Sequence, residues 1–263
     1  MTRFDDFLKE RKFLKNVSPR TLDYYEDCRR AWERYGPDPK EFVIKMREGG
    51  ARASTVNCVA RGLNAYFKWA GLPHKIPRLK EEERVIETWN EADVKKFVSY
   101  KPRTKGLKRA QLCCLLLLDT GLRIDEALSI KREHINFDNL FIRVTGKGRK
   151  ERDVPFSLEL RKLLWKYTAD KSGYLFSTRD GLKLGHRNIT RDVMRVCNEV
   201  EATPKRRLLH SFRHTFATNF LRMGGNVFML QRILGHRSIA VTQKYVHFVS
   251  EDLVQNHRSM LTV

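Results

Sequence analysis

Three residues in the segment RRLLHSFRHTFATNF, residues 206–220, have the types and spacing to act on an anion. His210, Arg213 and His214 fall within five positions, and the helical spacing i, i+3, i+4 places their side chains on one face. Like-charged groups that share a face repel each other. Their crowding therefore indicates either a solvated surface or a site that receives a strongly anionic group.

Metal catalysis is the first alternative for a pair of histidines at i and i+4. The zinc-protease motif HExxH needs a glutamate after the first histidine, and this chain has Ser211 at that position. A two-metal nuclease would need clustered carboxylates, and those of this sequence are scattered. There is also no DxDxDG loop, Walker lysine loop or GxGxxG turn. We therefore expect the reaction to use no metal and no cofactor.

Four more polar side chains occupy settings that could be functional. They are Arg123 after an apolar run and its glycine stop in DTGLRIDEAL, Lys147 in the turn TGKGRKER, His236 in ILGHRS, and Tyr245 in VTQKYVHF. Each has an ordinary explanation when it is taken alone: a surface charge, a solvated turn, a polar helix end and a half-buried ring. No one of these signals decides a function.

The order of the motifs is more specific than any of them alone. TGLRIDEAL, a GKG hairpin, HSFRHTFAT and LGHRSIAVTQKY follow one another over about residues 95–250. Together they resemble the tyrosine recombinase family, which contains the Xer and Cre recombinases and the phage integrases. SPRTLDYYEDCRRAW also resembles the core-binding domain of that family, less specifically. The resemblance implies a catalytic set of Arg123, Lys147, His210, Arg213, His236 and Tyr245.

The resemblance also implies a role for each member of this set. The two arginines clamp a scissile phosphate, and His236 gives it a further hydrogen bond. Tyr245 attacks phosphorus to form a 3′-phosphotyrosyl bond, His210 takes the tyrosine proton, and Lys147 is the acid for the departing 5′ oxygen. Fixed cations suit this chemistry because charge builds up on the phosphate oxygens in the transition state, and a guanidinium donates two parallel hydrogen bonds.

Two neighbouring residues receive supporting roles. Glu126 matches the acidic residue three places after the first arginine, where we expect it to support that arginine. His214 follows the H-x-x-R pair, and we expect it to pack or to contact backbone and not to react.

The composition is consistent with a nucleic-acid partner. The chain has 263 residues, 52 of them Lys or Arg and 31 Asp or Glu, which gives a formal net charge of +21. The excess is spread over both halves, so it does not come from a detachable tail. A folded protein this basic is expected to meet a polyanion, and nucleic acid is the leading candidate. The resemblance implies that this partner is a double-stranded DNA recombination site.

The remaining composition predicts a soluble intracellular protein with no membrane span, and the resemblance implies that it is cytoplasmic and associated with the nucleoid. The five cysteines are odd in number and have no CxxC spacing, which suits a reducing compartment. The N-terminus lacks the apolar stretch of a signal peptide, and the run LCCLLLL is far shorter than the ~20 residues that span a bilayer.

The helical and strand patterns predict two domains. Residues 1–78 form short amphipathic helices, one capped by Ser18 and ended by Gly36 and another starting at Ser54, as in a SAM-like core-binding domain. Residues 79–88 form a linker. Residues 89–263 form a mixed α+β catalytic domain, mostly helical, in which LFIRVTGKGRKERDVPF is a β-hairpin. The expected fold class is therefore mainly α with a small β-sheet.

The last segment predicts a separate terminal helix over 250–261. Ser250 is a good N-cap, and an apolar stripe follows it at Leu253, Val254, His257, Met260 and Leu261. A helix this short must dock to be stable. Docking on its own catalytic domain is one alternative. In the resembled family such a helix commonly packs on the neighbouring protomer, which implies a homotetramer on two DNA sites.

The resemblance therefore implies a simple two-domain, Xer-like site-specific recombinase that acts in chromosome resolution or in integration and excision. Two alternatives remain open at this point. A type IB topoisomerase uses a similar residue set but relaxes DNA as a monomer, and an architectural DNA-binding protein would bind without cleaving.

Overall fold

The computed structural model describes residues 3–81, 86–146, 150–169 and 172–260, with the backbone alone for residues 251–260. Contacts divide the chain into two compact units, residues 1–84 and 85–263. The predicted linker, residues 79–88, spans this division.

The first unit is a bundle of four helices around an aromatic and aliphatic core. The helices are α1 (Arg3–Phe13), α2 (Pro19–Tyr35), α3 (Pro39–Glu48) and α4 (Ala53–Ala70). Ser18 and Gly36 flank α2 as the sequence predicts, with Pro19 as its first residue. The helix α4 begins at Ala53, so the expected start at Ser54 is one residue late.

The second unit is mainly helical and contains one small antiparallel sheet, which confirms the expected fold class. Its helices are α5 (Glu91–Ser99), α6 (Lys105–Thr120), α7 (Ile124–Leu128), α8 (Leu158–Thr168), α9 (His186–Glu199), α10 (Leu208–Arg222), α11 (Val227–Leu234) and α12 (Ile239–Met260). The strands are β1 (Ile135–Asn136), β2 (Phe141–Thr145) and β3 (Glu151–Pro155), in the order β1-β2-β3. The predicted hairpin is β2–β3, in register from Phe141 opposite Pro155 to Thr145 opposite Glu151.

The helix α6 forms the centre of the second unit and packs against α9 and α10. Its apolar residues are buried on several sides, as expected for a helix without a polar face. It ends at Gly121, where φ is +62° and where a Cβ atom would overlap the Phe216 ring. Glycine is needed here for both reasons. The turn brings Arg123 to the N-cap of α7 beside the packed end of α6.

The C-terminal segment differs from the expectation of a separate helix over 250–261. One helix, α12, runs without interruption from Ile239 to Met260, and Ser250 lies inside it. No glycine or proline interrupts this stretch, and the Ser250 hydroxyl donates to the Val246 carbonyl four residues earlier instead of capping a new helix. Leu261 lies outside the described residues.

Within the described ranges, no helix combines the length and the apolar character that crossing a membrane requires.

Candidate active site

Three arginines meet at the C-terminal end of α11. The carbonyl groups of residues 233–235 accept their hydrogen bonds: Arg152 Nε donates to the first at 2.9 Å and Arg213 Nη2 to the second at 2.8 Å. Arg123 donates to the second and third at 3.2 and 3.4 Å. The last carbonyl groups of a helix lack helical partners and carry partial negative charge, so they hold cations well. The helix end therefore positions three guanidinium groups that would otherwise repel one another.

A single carboxylate, that of Glu126, lies among these cations in the part of the chain that the structure describes. Arg152 donates to both of its oxygens at 3.0 and 2.9 Å, and Arg123 Nη1 donates to one at 3.1 Å. The same carboxylate accepts from the Arg123 backbone N–H at 2.9 Å and so caps α7. Burial acts to raise the pKa of Glu126, but the hydrogen bonds from Arg152 and from the Arg123 backbone lower it on balance. Glu126 is thus ionised, and it neutralises one of the three arginines.

Arg213 is the most enclosed of the three arginines, with 4% of its surface exposed. Its Nη1 donates to the Gly121 carbonyl at 2.6 Å. Burial and then the charge of Arg123 lower the pKa of Arg213 to about 10, so the group stays protonated at pH 7. None of its hydrogen bonds in the described residues goes to a carboxylate. The site therefore keeps a net positive charge around the buried Arg213 guanidinium.

His236 follows directly on this helix end. Its Nε2 lies 2.9 Å from Arg213 Nη2, and its Nδ1 lies 2.9 Å from the hydroxyl of Thr242 in the first turn of α12. Burial, followed by the charges of Arg213 and Arg123, lowers the pKa of His236 to about 4. The imidazole is therefore neutral at pH 7.

Tyr245 is buried against the same elements, with 5% of its surface exposed, in a small cluster with Ala217, Leu230 and Leu234. Its hydroxyl lies 2.8 Å from His214 Nδ1. Burial raises the pKa of Tyr245 although Arg213 and Arg123 act to lower it. The hydroxyl is thus protonated at rest and needs a proton acceptor before it can attack.

His214 is available as that acceptor. Burial, then the neighbouring His210 and Arg213, lower the pKa of His214 to about 4, so its ring is neutral. Among the described residues, no hydrogen bond joins His210 to the Tyr245 hydroxyl, and His210 is exposed, with its ring centroid 6.5 Å from that of His214. The expectation that His214 only packs or contacts backbone is therefore wrong, because it contacts the Tyr245 hydroxyl.

Lys147 lies outside the described residues, but the base of its turn is described. The Gly146 N–H donates to the Lys150 carbonyl at 2.8 Å and closes the hairpin. A Cβ atom on Gly146 would lie 3.5 Å from Arg152 Nη1 and 3.8 Å from Glu126 Oε1. The hairpin turn thus starts beside the arginine cluster.

The sequence matches known proteins over most of its length. The model of the phage integrase family matches residues 87–251. The chain belongs to the phage integrase family. It is accordingly a tyrosine recombinase, an enzyme of site-specific DNA recombination.

Relatives and solved structures of this family agree over long ranges. The tyrosine recombinase XerA of Pyrococcus furiosus is 33% identical over 238 residues, which cover 84% of this chain and 80% of that protein. The tyrosine recombinase XerC of Rickettsia typhi is 37% identical over 144 residues, 52% of this chain and 46% of that protein. In fold, a structure of the Tn1549 transposon integrase has a TM-score of 0.77 at 24% identity and covers 93% of this chain and 94% of that chain.

The structure of this phage integrase family member brings most of the predicted residues together. Arg123, Glu126, Arg213 and His236 form one hydrogen-bonded cluster, and Tyr245 packs beside it. The prediction from sequence missed Arg152 and Thr242, and it gave His214 only a packing or backbone-contact role. For two of these residues the sequence does contain a signal. Residue 152 lies on the same face of β3 as the buried residue 154, and residue 214 lies on the same helix face as residues 210 and 213.

We expect Glu126→Gln to lower the free energy of unfolding by about 3 kcal/mol at pH 7, because it removes the only described carboxylate among three arginines. The pKa of Glu126 is lowered in the folded state, so its contribution is complete above the unfolded pKa of about 4.3 and is lost as the pH falls through the folded value. Urea titrations of wild type and variant at pH 7 and at pH 3 measure the difference, which should shrink at the lower pH.

The matched control is Glu133→Gln. The Glu133 side chain is 68% exposed and pairs with Lys131 at 3.5 Å on the surface, so this change should stay within about 0.5 kcal/mol. Equal effects of the two substitutions would contradict the role of Glu126.

Proposed function

We propose that the arginine cluster binds the scissile phosphate of a recombination site and that Tyr245 attacks this phosphate. DNA is then broken and rejoined through a 3′-phosphotyrosyl bond that keeps the energy of the ester. The supporting observation is the charge of the cluster: three guanidinium groups fixed on one helix end, a single described carboxylate among them, and a tyrosine hydroxyl buried beside them.

Arg123 and Arg213 are proposed to clamp the two non-bridging phosphate oxygens. Carbonyl groups of residues 233–235 hold both guanidinium groups at the site before the phosphate binds. Arg152, whose hydrogen bonds go to Glu126 and to the helix end, is proposed to hold the clamp in place and not to contact DNA. His236 is proposed to add one hydrogen bond to the phosphate.

His214 is proposed to take the proton of Tyr245. The family resemblance implies His210 in this role, but His214 is the residue within hydrogen-bonding distance of the hydroxyl. His210 is proposed to face the DNA backbone from the exposed side of α10. Lys147 is proposed as the acid for the departing 5′ oxygen, which the position of its hairpin supports.

The remaining parts of the chain are proposed to bind and arrange the DNA. The four-helix unit, residues 1–78, is proposed as a core-binding domain joined by the linker 79–88 to the catalytic domain 89–263. A net charge of +21 supports this, as does the similarity to a Tn1549 integrase that was solved in complex with circular intermediate DNA. A protein that recombines chromosomal or mobile DNA is proposed to be cytoplasmic and associated with the nucleoid.

The active assembly is proposed to be a homotetramer on two DNA sites. The end of α12 continues past Tyr245 to Met260, and its sequence has a mostly apolar set at Leu253, Val254, His257 and Met260. The spacing i, i+1, i+4, i+7 places these residues on one stripe. We propose that this stripe packs on the neighbouring protomer and links the active sites.

Tyr245→Phe should abolish covalent attachment to DNA and leave DNA binding nearly unchanged, because it removes only the attacking oxygen. A nicked suicide substrate is incubated with the protein, and denaturing electrophoresis detects the protein–DNA adduct. Excess EDTA should leave the wild-type adduct intact, since arginines supply the charge. Tyr100→Phe, which removes a hydroxyl that donates to Glu199 at 2.6 Å, is the control and should retain the adduct.

An adduct formed by the Tyr245→Phe variant would assign the nucleophile elsewhere. Loss of cleavage in EDTA that magnesium restores would contradict the proposed mechanism, and relaxation of supercoils without site preference would favour a topoisomerase.

His214→Phe should slow adduct formation on the order of 10²-fold, because general-base catalysis contributes about that much. His214→Gln retains a hydrogen-bond acceptor and should lose less. Single-turnover rates on the suicide substrate measure both. A wild-type rate in His214→Phe together with a large loss of rate in His210→Phe would show that His210, and not His214, accepts the tyrosine proton.

Removal of residues 251–263 should preserve binding to a single site and weaken both assembly on two sites and strand exchange. Light scattering of protein–DNA complexes measures the stoichiometry. In the full-length chain, Leu253→Asp should weaken assembly, whereas Gln255→Asp adds the same charge off the apolar stripe and should not. An unchanged tetramer from the truncated protein would show that the tail does not link protomers.

A further inference from the structure

The two ring nitrogens of His236 have different kinds of partner. Nε2 lies 2.9 Å from Arg213 Nη2, and Nδ1 lies 2.9 Å from Thr242 Oγ1. The three side chains come from different places in the fold: the end of α11, the middle of α10 and the first turn of α12. Thr242 is completely buried, so its hydroxyl is shielded from bulk water.

These partners determine the tautomer of His236 in the free protein. A guanidinium group has donors only, so Nε2 must accept the hydrogen bond from Arg213. A neutral imidazole has one N–H, which is therefore on Nδ1 and donates to the Thr242 hydroxyl. The ring is neutral because burial and the charges of Arg213 and Arg123 lower its pKa to about 4. Arg152 adds to this effect, and Glu126 opposes it.

The resting tautomer cannot perform the role proposed for His236 on DNA. A phosphate oxygen is an acceptor, so a hydrogen bond to it needs a proton on Nε2, where the free protein has a lone pair. The proton must move to Nε2 when Arg213 turns from His236 to the phosphate. Nδ1 then becomes an acceptor and needs a donor.

Thr242 can meet both requirements. A hydroxyl group accepts in one orientation and donates in the other. Among the described residues, the Thr242 hydroxyl has no hydrogen-bond partner besides His236, so rotation of the hydroxyl breaks no other described hydrogen bond. Arginine, lysine or a carboxylate in its place would support only one of the two tautomers.

We propose that Thr242 is a positioning residue whose hydroxyl reverses its hydrogen bond, so that His236 changes from the Nδ1–H tautomer in the free enzyme to the Nε2–H tautomer on the scissile phosphate. Water, which reaches the half-buried His236 ring, supplies the proton at Nε2 and takes up the proton that leaves Nδ1, so the ring and the Thr242 hydroxyl both stay neutral. This inference rests on the proposed role of His236 in phosphate binding.

Substitutions at Thr242 test its contribution. Thr242→Val has a similar shape but no hydroxyl, and it should slow adduct formation on the suicide substrate about tenfold, which corresponds to one lost hydrogen bond. Thr242→Ser keeps the hydroxyl and should stay within about threefold of wild type. Val241→Ala, an exposed neighbour in the same helical turn, is the control. Binding to uncleaved DNA should be the same for all four proteins.

Nitrogen-15 NMR of histidine-labelled protein tests the tautomers directly. His236→Gln assigns the ring signals, and Tyr245→Phe bound to an uncleaved half-site duplex represents the DNA complex. The expected result is a proton on Nδ1 in the free protein and on Nε2 in the complex. A proton on Nε2 in the free protein, the same tautomer in both states, or protons on both nitrogens in the complex would overturn the inference.

The same assays separate this inference from the proposed function. Wild-type cleavage by His236→Ala would show that His236 has no role on the phosphate, and both proposals for this residue would fall. Impaired cleavage by His236→Ala with normal cleavage by Thr242→Val would overturn only the role of Thr242.

Discussion

The site depends on the carbonyl end of one short helix, α11. Three arginines from three separate elements donate to the carbonyl groups of residues 233–235, and this shared anchor holds like charges within a few ångströms of one another. Without it, their mutual repulsion would spread them into solvent. The same helix end leads through Gly235, at φ +63°, into His236 and then into α12, which carries Tyr245. The C-terminal end of α11 therefore positions the arginines, His236 and Tyr245.

The incomplete charge balance is as important as the anchor. Glu126 neutralises part of the cluster and keeps its arginines oriented, and a second carboxylate would compete with the proposed phosphate for the same donors. Burial and the arginines lower the pKa of His214 and His236, so both rings are neutral. Neutral rings can take part in hydrogen bonding and proton transfer. The protein folds with a positive site that a backbone phosphate can complete.

The motif residues and the fold class could be predicted from sequence, and the contacts between them could not. Helix ends such as Gly36 and Gly121 and the β2–β3 hairpin follow from local chemistry, which a sequence displays directly. The partner of Tyr245 depends on how α12 crosses α10, and the role of Arg152 depends on which strand faces α11. Both are tertiary relations between distant segments. The predicted helix start at Ser250 is the opposite kind of error. Ser250 is a good capping residue, but the helix that precedes it continues through this position.

The continuity of α12 also has a mechanical consequence. Tyr245 lies near the start of one rigid rod, and Met260 lies about 22 Å farther along it at 1.5 Å per residue. With no glycine or proline between them to act as a hinge, a force on the far end is transmitted as a tilt or twist of the rod and not absorbed by a bend. A displacement of the distant end of the helix would therefore also change the angle at which the Tyr245 oxygen approaches the proposed phosphate.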